Sequence, residues 1–145
     1  MKVNLTVRLL LVLAFVGCIG AIAYSRLSPK QHVRRLLGAS LPSSASEVKL
    51  LWSQLPGYTW GVLFLRVRMP EQAAKEFARS LGMSEADGKS GLFVPVNQGN
   101  GGSRLDWWTP PPPESQTSRF VREVDGIMAC VWSEGHMYLF KEGGI

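Results

Sequence analysis

An uncharged, apolar run near the start of the chain constrains its architecture more than any other feature. Residues 9–24 have the sequence LLLVLAFVGCIGAIAY, without a charged side chain. As a helix this run is about 24 Å long. It approaches the ~30 Å core of a bilayer if residues 5–7 join it and Arg8 extends to the interface. The sequence therefore predicts that residues 5–24 contact a lipid bilayer and that residues 1–25 form a membrane anchor or a signal segment.

Three processing outcomes are compatible with this run. A transmembrane anchor would stay in the mature chain. A secretory signal would be cleaved after Ala23, because a basic start, an apolar run and the A-x-A pattern of residues 21–23 follow one another. The tetrapeptide FVGC, ending at Cys18, resembles the bacterial lipoprotein site in its glycine but has Phe15 where leucine is usual. We take the anchor as the principal prediction and the cleaved, secreted form as its alternative.

The net charge of +5 belongs mainly to this amino-terminal region. Residues 1–35 carry six Lys or Arg and no acid, whereas residues 36–145 carry ten Lys or Arg and eleven Asp or Glu. A nearly neutral domain gives no reason to expect a nucleic-acid partner. The cations that follow the run outnumber those before it, which favours a cytoplasmic domain. The similarity to an export signal favours the opposite side, and we predict an extracytoplasmic domain.

Residues 26–40 have the pattern of a short basic helix beside the membrane. Ser28 is placed as the N-cap, Pro29 as the first helical residue and Gly38 just past the end. The apolar side chains share one face and the cations lie largely elsewhere: Val33, Leu36 and Leu37 against Lys30, Arg34 and Arg35. Such a helix lies at the headgroup surface, docks on the domain, or is a solvated linker. In the first case its three cations bind anionic headgroups.

Residues 41–145 are predicted to form a small α+β domain. Strand patterns occur at residues 48–52, 59–69, 119–124, 127–132 and 136–140, and a helix pattern at residues 70–82. This order of elements predicts two layers: an antiparallel sheet of about four to five strands with one main helix on one face. Alternation along residues 59–69 places two sets of side chains on opposite faces: Leu63, Leu65, Val67 and Met69 against Trp60, Val62, Phe64, Arg66 and Arg68.

An irregular loop is expected at residues 83–118. Within it, residues 92–96 are at most a short edge strand because of Pro95. The glycine-rich residues 97–103 precede no helix, so no phosphate loop or cofactor is predicted. No paired cysteines are present to hold a metal. A loop of this length is typical of a functional segment or a mobile flap.

The stretch RLDWWTPPPP, residues 104–113, supplies the main candidate binding residues. Its Trp107 and Trp108 either form a recognition surface for a protein or glycan, or cover the helix-free face of the sheet. Two arginines of the strand would clamp an anionic ligand. The predicted binding residues are Trp107, Trp108, Trp60, Phe64, Arg66 and Arg68.

Cys130 and His136 are the pair that would supply a nucleophile and a base. The turn between their strands decides whether they meet. A three-residue turn at residues 133–135 places both side chains on one face of the sheet, whereas a two-residue turn at residues 134–135 places them on opposite faces.

One resemblance adds to this interpretation. The stretch LPSSASEV, residues 41–48, following an apolar leader, and the later pair Trp107–Trp108 resemble small uncharacterised bacterial envelope proteins that are membrane-anchored or lipoprotein-like. The resemblance implies an envelope location and no particular activity. We therefore predict a membrane-tethered envelope protein that acts as a non-catalytic binding or accessory module. The alternatives are a small thiol enzyme or hydrolase using Cys130 and His136, and an inhibitor or immunity-type protein.

Overall fold

The structure of the protein is a computed structural model that describes residues 27–54, 60–86, 91–95, 105–116 and 119–144. Its elements are α1 (Pro29–Leu37), β1 (Ser46–Gln54), β2 (Trp60–Arg68), α2 (Glu71–Ser80), β3 (Ser84–Glu85), a 3₁₀ turn (Pro113–Ser115), β4 (Arg119–Arg122), β5 (Gly126–Ser133) and β6 (His136–Gly144). The predicted membrane segment, with Cys18 and the cleavage site at Ala23, lies outside the described residues. Within them, no helix is both long and apolar enough to cross a bilayer.

The described strands form one antiparallel sheet in the order β1-β2-β6-β5-β4-β3. The prediction of a mixed α+β fold is therefore confirmed, but the sheet has six strands rather than four to five. The additional strand is β3, which pairs Ser84 with Val121 and Glu85 with Phe120. A strand of two residues is too short to show an alternating pattern, so no sequence signal predicts β3. The possible strand at residues 92–96 is not observed over its described part, residues 92–95.

Two described helices, rather than one main helix, pack on the sheet. In α1, the Ser28 hydroxyl accepts a hydrogen bond from the Gln31 backbone, and the Gln31 side chain accepts one from the Ser28 backbone. Gly38 ends the helix in the left-handed conformation, with φ 74°. Val33 is fully buried in the same core as Ala74 of α2. The apolar stripe of α1 thus docks on the domain.

The face of the sheet that carries α1 and α2, which we call the helix face, holds the larger core. It contains Leu63, Leu65 and Val67 of β2, all fully buried, as the alternation of that strand predicts. The neighbouring strands add Cys130, Phe120, Met128, Met137 and Leu139. Apolar burial against two amphipathic helices accounts for this layer.

The opposite face, which we call the loop face, is covered by residues 91–95 and 105–116 instead of helices. Its core consists of Phe64, Val94, Trp108, Ala129, Val131 and Tyr138. The covering chain has no regular structure except the single 3₁₀ turn. Its backbone polar groups therefore need partners that a helix or sheet would otherwise provide.

Candidate binding site on the loop face

The pleat of β2 places four of the predicted binding residues on the loop face. Antiparallel pairing sets Arg66 opposite Tyr138 and Arg68 opposite His136 on β6. The other two predicted residues, Trp107 and Trp108, belong to the chain that covers this face. All six predicted binding residues thus lie on one side of the sheet, although they do not form one cluster.

Trp108 lies in the core of this face. It is only 5% exposed, and its ring contacts Phe64 and Tyr138 edge-on at centroid distances of 5.0 and 5.6 Å. Its indole Nε1 donates a hydrogen bond to the Pro95 carbonyl at 2.8 Å. Both the apolar and the polar part of this side chain are therefore satisfied within the protein. Trp108 and Phe64 hold the covering chain in place and present little surface to a partner.

Two buried polar side chains complete this attachment. Gln116, 4% exposed, accepts a hydrogen bond from the Val94 backbone at 2.9 Å and donates to the carbonyls of Val94 and Pro111 at 2.8 and 2.9 Å. The buried Arg119 donates to the Leu92 carbonyl at 2.6 Å. The Gln116 amide thus bonds to both the N–H and the carbonyl of Val94, as a paired strand would do in a sheet. The sequence carries no signal for this role, because a single polar residue in a proline-rich stretch is typical of a surface loop.

Arg66 is the centre of a polar cluster at the end of β2. Its Nη1 donates to the Trp107 carbonyl at 3.1 Å, and its Nη2 lies 3.1 Å from His136 Nε2. Arginine only donates, so His136 Nε2 must accept and the imidazole proton must lie on Nδ1, which is 3.2 Å from the Glu134 carbonyl. The third guanidinium nitrogen, Nε, is buried and has no hydrogen-bond partner among the described residues.

Glu47 and Arg68 extend the cluster toward solvent. Their side chains form an ion pair at 2.7 Å, and the second Glu47 oxygen lies 3.7 Å from His136 Nε2. The hydrogen bond from Arg68 is the main reason that the pKa of the Glu47 carboxyl lies below its usual value. Glu47 has φ 48° within a bulge of β1 between Ser46 and Lys49. The sequence does not reveal the bulge, so sequence reasoning missed Glu47.

The six predicted binding residues therefore divide into three groups. Arg66, Arg68 and the half-buried Trp107 lie together with His136 and Glu47, and we call these five residues the Arg66 cluster. Phe64 and Trp108 are buried beneath the covering chain. Trp60 is 55% exposed but lies at the opposite end of β2, roughly 26 Å away along an extended strand.

The structure does not bring Cys130 and His136 together. Glu134 and Gly135 form a two-residue turn, with φ values of 50° and 81°, so Ser133 pairs with His136. This register puts His136 on the loop face and Cys130 on the helix face. Burial also raises the pKa of the Cys130 thiol to about 12. The proposed nucleophile and base are therefore separated by the sheet.

No group of three or more metal-ligating side chains occurs in the described part of the chain. Comparisons with protein-family models, with curated proteins and with solved structures found no match to this chain. The candidate site therefore rests on the geometry of the Arg66 cluster itself.

Proposed function

We propose that this protein is a membrane-tethered envelope protein whose domain, outside the cytoplasm, is a binding module. Its Arg66 cluster contacts an anionic group, such as a carboxylate, on a protein or glycan partner. The observation that carries the proposal is the convergence of two arginines and a partly exposed tryptophan at one end of the loop face. A planar guanidinium binds carboxylates through paired hydrogen bonds, and tryptophan is enriched at binding interfaces.

The charge of the cluster favours an anion. Two arginines face one carboxylate, that of Glu47, and one of them also contacts His136. One positive charge therefore remains. Arg66 Nε also has no acceptor within the part of the chain that the structure describes, and a buried donor without a partner costs about 1–3 kcal/mol. Such groups are rare in folded proteins, and a binding site is one place where they are retained.

The position of α1 supports the membrane tether. The helix begins at Pro29, only a few residues after the apolar run of residues 9–24, and its stripe docks on the sheet. A domain attached so closely would lie at the bilayer surface. The cations Lys30, Arg34 and Arg35 are exposed on the outer side of α1. Each would gain about 1 kcal/mol beside an anionic membrane.

The tether is tested with the intact mass of the chain in washed membranes. We expect the full-length mass, retained after alkaline carbonate extraction and degraded by protease added outside the cytoplasmic membrane. A soluble product that lacks residues 1–23 would show that the segment is a cleaved signal and not an anchor. A soluble full-length chain would overturn the membrane assignment.

Partner contact is tested with a photo-crosslinking amino acid placed at Arg68 in the full-length chain. Glu76, exposed on α2 at the other side of the sheet, provides the matched control position. We expect a cross-linked partner from Arg68 only, and its yield should fall when Trp107→Ala or Arg66→Gln is added. Equal cross-linking from both positions, or no effect of the added substitutions, would contradict a specific contact at the Arg66 cluster.

A further inference from the structure

A cavity of about 270 Å³ opens on the helix face, far from the Arg66 cluster. It lies between the last residue of α1, Leu37, and the strand ends around the turn that joins β4 to β5. Arg122 and Lys141 line it together with Leu37, Val124 and Met128. Its volume is near the lower end for small-molecule sites, which begin at about 300 Å³.

The register of three strands explains how the two cations come to share this cavity. Arg122 of β4 pairs with Met128 of β5, and Met128 pairs with Lys141 of β6. The three residues therefore form one row across the helix face, with the cations on either side of the methionine and roughly 10 Å between their backbones. The next pair of β5 and β6 residues on the helix face is Gly126 and Gly143. A Cβ at Gly126 would overlap the Glu142 carbonyl, so glycine lets β5 and β6 approach closely beside the row.

The charges of this row are not balanced by the described residues. Arg122 donates to the Leu81 carbonyl at 2.9 Å, which fixes its guanidinium at the end of α2. Neither Arg122 nor Lys141 forms an ion pair with a described carboxylate, although Asp125 also borders the cavity. Burial, and then the charge of Arg122, lower the pKa of Lys141. Two cations in one partly enclosed, uncompensated row destabilise each other unless an anion is present.

We propose that this cavity binds a phosphate group attached to an apolar chain. Lys141 and Arg122 would hold the phosphate oxygens through charge-assisted hydrogen bonds. Leu37, Val124 and Met128 would contact the apolar part. A phosphate monoester and a phospholipid headgroup share this chemistry. The site lies on the opposite face from the Arg66 cluster, so it does not depend on the proposed function.

The experiment uses the full-length chain in uncharged detergent and isothermal titration at constant ionic strength. The probes are butyl phosphate, vesicles containing phosphatidylglycerol, and vesicles of phosphatidylcholine alone. We expect saturable binding of butyl phosphate, weakened about tenfold in Lys141→Gln by loss of one charge-assisted contact. Lys49→Gln removes the same charge from an exposed position on the loop face and should change the affinity less than about twofold.

The outcomes separate the two sources of phosphate. If butyl phosphate binds, the site accepts a soluble phosphate ester. If only the phosphatidylglycerol vesicles bind, the site recognises a lipid headgroup. In either case Lys141→Gln must weaken the binding more than Lys49→Gln does. Lys141→Arg keeps the charge and should stay within about threefold of the original affinity, which controls for misfolding of the glutamine variant. No saturable binding of any probe, or equal weakening by Lys49→Gln and Lys141→Gln, would overturn the proposal.

Discussion

The two faces of the sheet are covered by different means. On the helix face, α1 and α2 pair their own backbone groups and bury apolar stripes that include Val33 and Phe77. On the loop face, the covering chain depends on Gln116, Arg119 and Trp108 for its backbone partners. A helix that covers a sheet needs nothing more from its sequence than apolar residues at helical spacing. Irregular cover needs particular polar side chains at particular positions.

This difference has consequences for stability and for function. Many buried side chains contribute to the stability of the helix face, so its packing tolerates volume-conserving substitutions. A few contacts fix the loop face, so one substitution can release the covering chain. The same irregular cover leaves Trp107 partly exposed beside Arg66. Binding residues are disproportionately found on loops held by a rigid scaffold.

The largest expected loss of stability follows substitution of Trp108, and it should exceed the loss at the adjacent Trp107. Trp108→Ala should destabilise the domain by about 3–5 kcal/mol, because it removes a buried ring and its hydrogen bond to Pro95. Trp107→Ala should cost less, about 1–2 kcal/mol, because its side chain is partly exposed. Urea unfolding of both variants measures the difference. Equal losses would mean that the two rings contribute alike to the core.

Gln116→Ala should have the next largest effect, about 2–3 kcal/mol, because the Val94 N–H and carbonyl lose their buried partner. Amide exchange at Val94 should accelerate while α2 stays protected. Gln72→Ala, which removes an exposed glutamine bonded to Glu76 on α2, is the matched control and should be nearly neutral. Faster exchange throughout α2 would show that the two faces unfold together.

A pH-dependent loss of stability tests whether Cys130 is shielded from water in the core of the helix face. The thiol pKa is raised from 9.0 to about 12 in the folded protein, so the unfolded chain loses its proton first as the pH rises. The neutral thiol makes its full contribution to the free energy of unfolding below pH 9.0, and this contribution is lost between pH 9.0 and about 12. The stability difference between the original chain and Cys130→Ala should therefore narrow by up to about 1.4 kcal/mol per pH unit. Rapid alkylation of the folded protein at pH 8 would show that Cys130 is accessible.

The smallest effect is expected at Glu47. Its pKa is lowered, so its ion pair with Arg68 stabilises the fold above the ordinary value of 4.5 and is lost as the pH falls through the lowered value. Both side chains are more than half exposed, so Glu47→Gln should lower the stability only slightly above pH 4.5, and this difference should disappear as the pH falls through the lowered pKa of Glu47. Acid titration followed by circular dichroism measures it. A large loss at neutral pH would mean that the Arg66 cluster holds the loop face together.

The elements of the helix face could largely be predicted because their signals are local. Ser28, Pro29 and Gly38 mark α1, and alternation along β2 assigns Leu63 and Leu65 to one face. The loop face offered less information. Residues 91–95 and 105–116 have no periodicity, and the strand-like partner of Val94 is a side chain twenty-two positions away.

The candidate site was predicted in part. Sequence reasoning found Arg66, Arg68 and Trp107, because aromatic and arginine residues on one strand face or in a proline-rich loop are typical of binding surfaces. It grouped them with Trp60, Phe64 and Trp108, whose positions in the fold are different. It missed Glu47, which depends on a bulge, as well as Arg122 and Lys141, which meet only through the pairing of three strands.

By itself, the sequence determined where α1, α2 and the strands other than β3 lie and which side of β2 is apolar. The reason is that caps, periodicity and turn residues act over a few neighbouring positions. Only the tertiary structure decided that α1 docks on the sheet, that Cys130 and His136 face opposite layers, and that Arg66 meets Trp107 and His136. The last two contacts join residues 41 and 70 positions apart. Such contacts depend on strand register and on the path of irregular chain, which the packing of the whole domain selects.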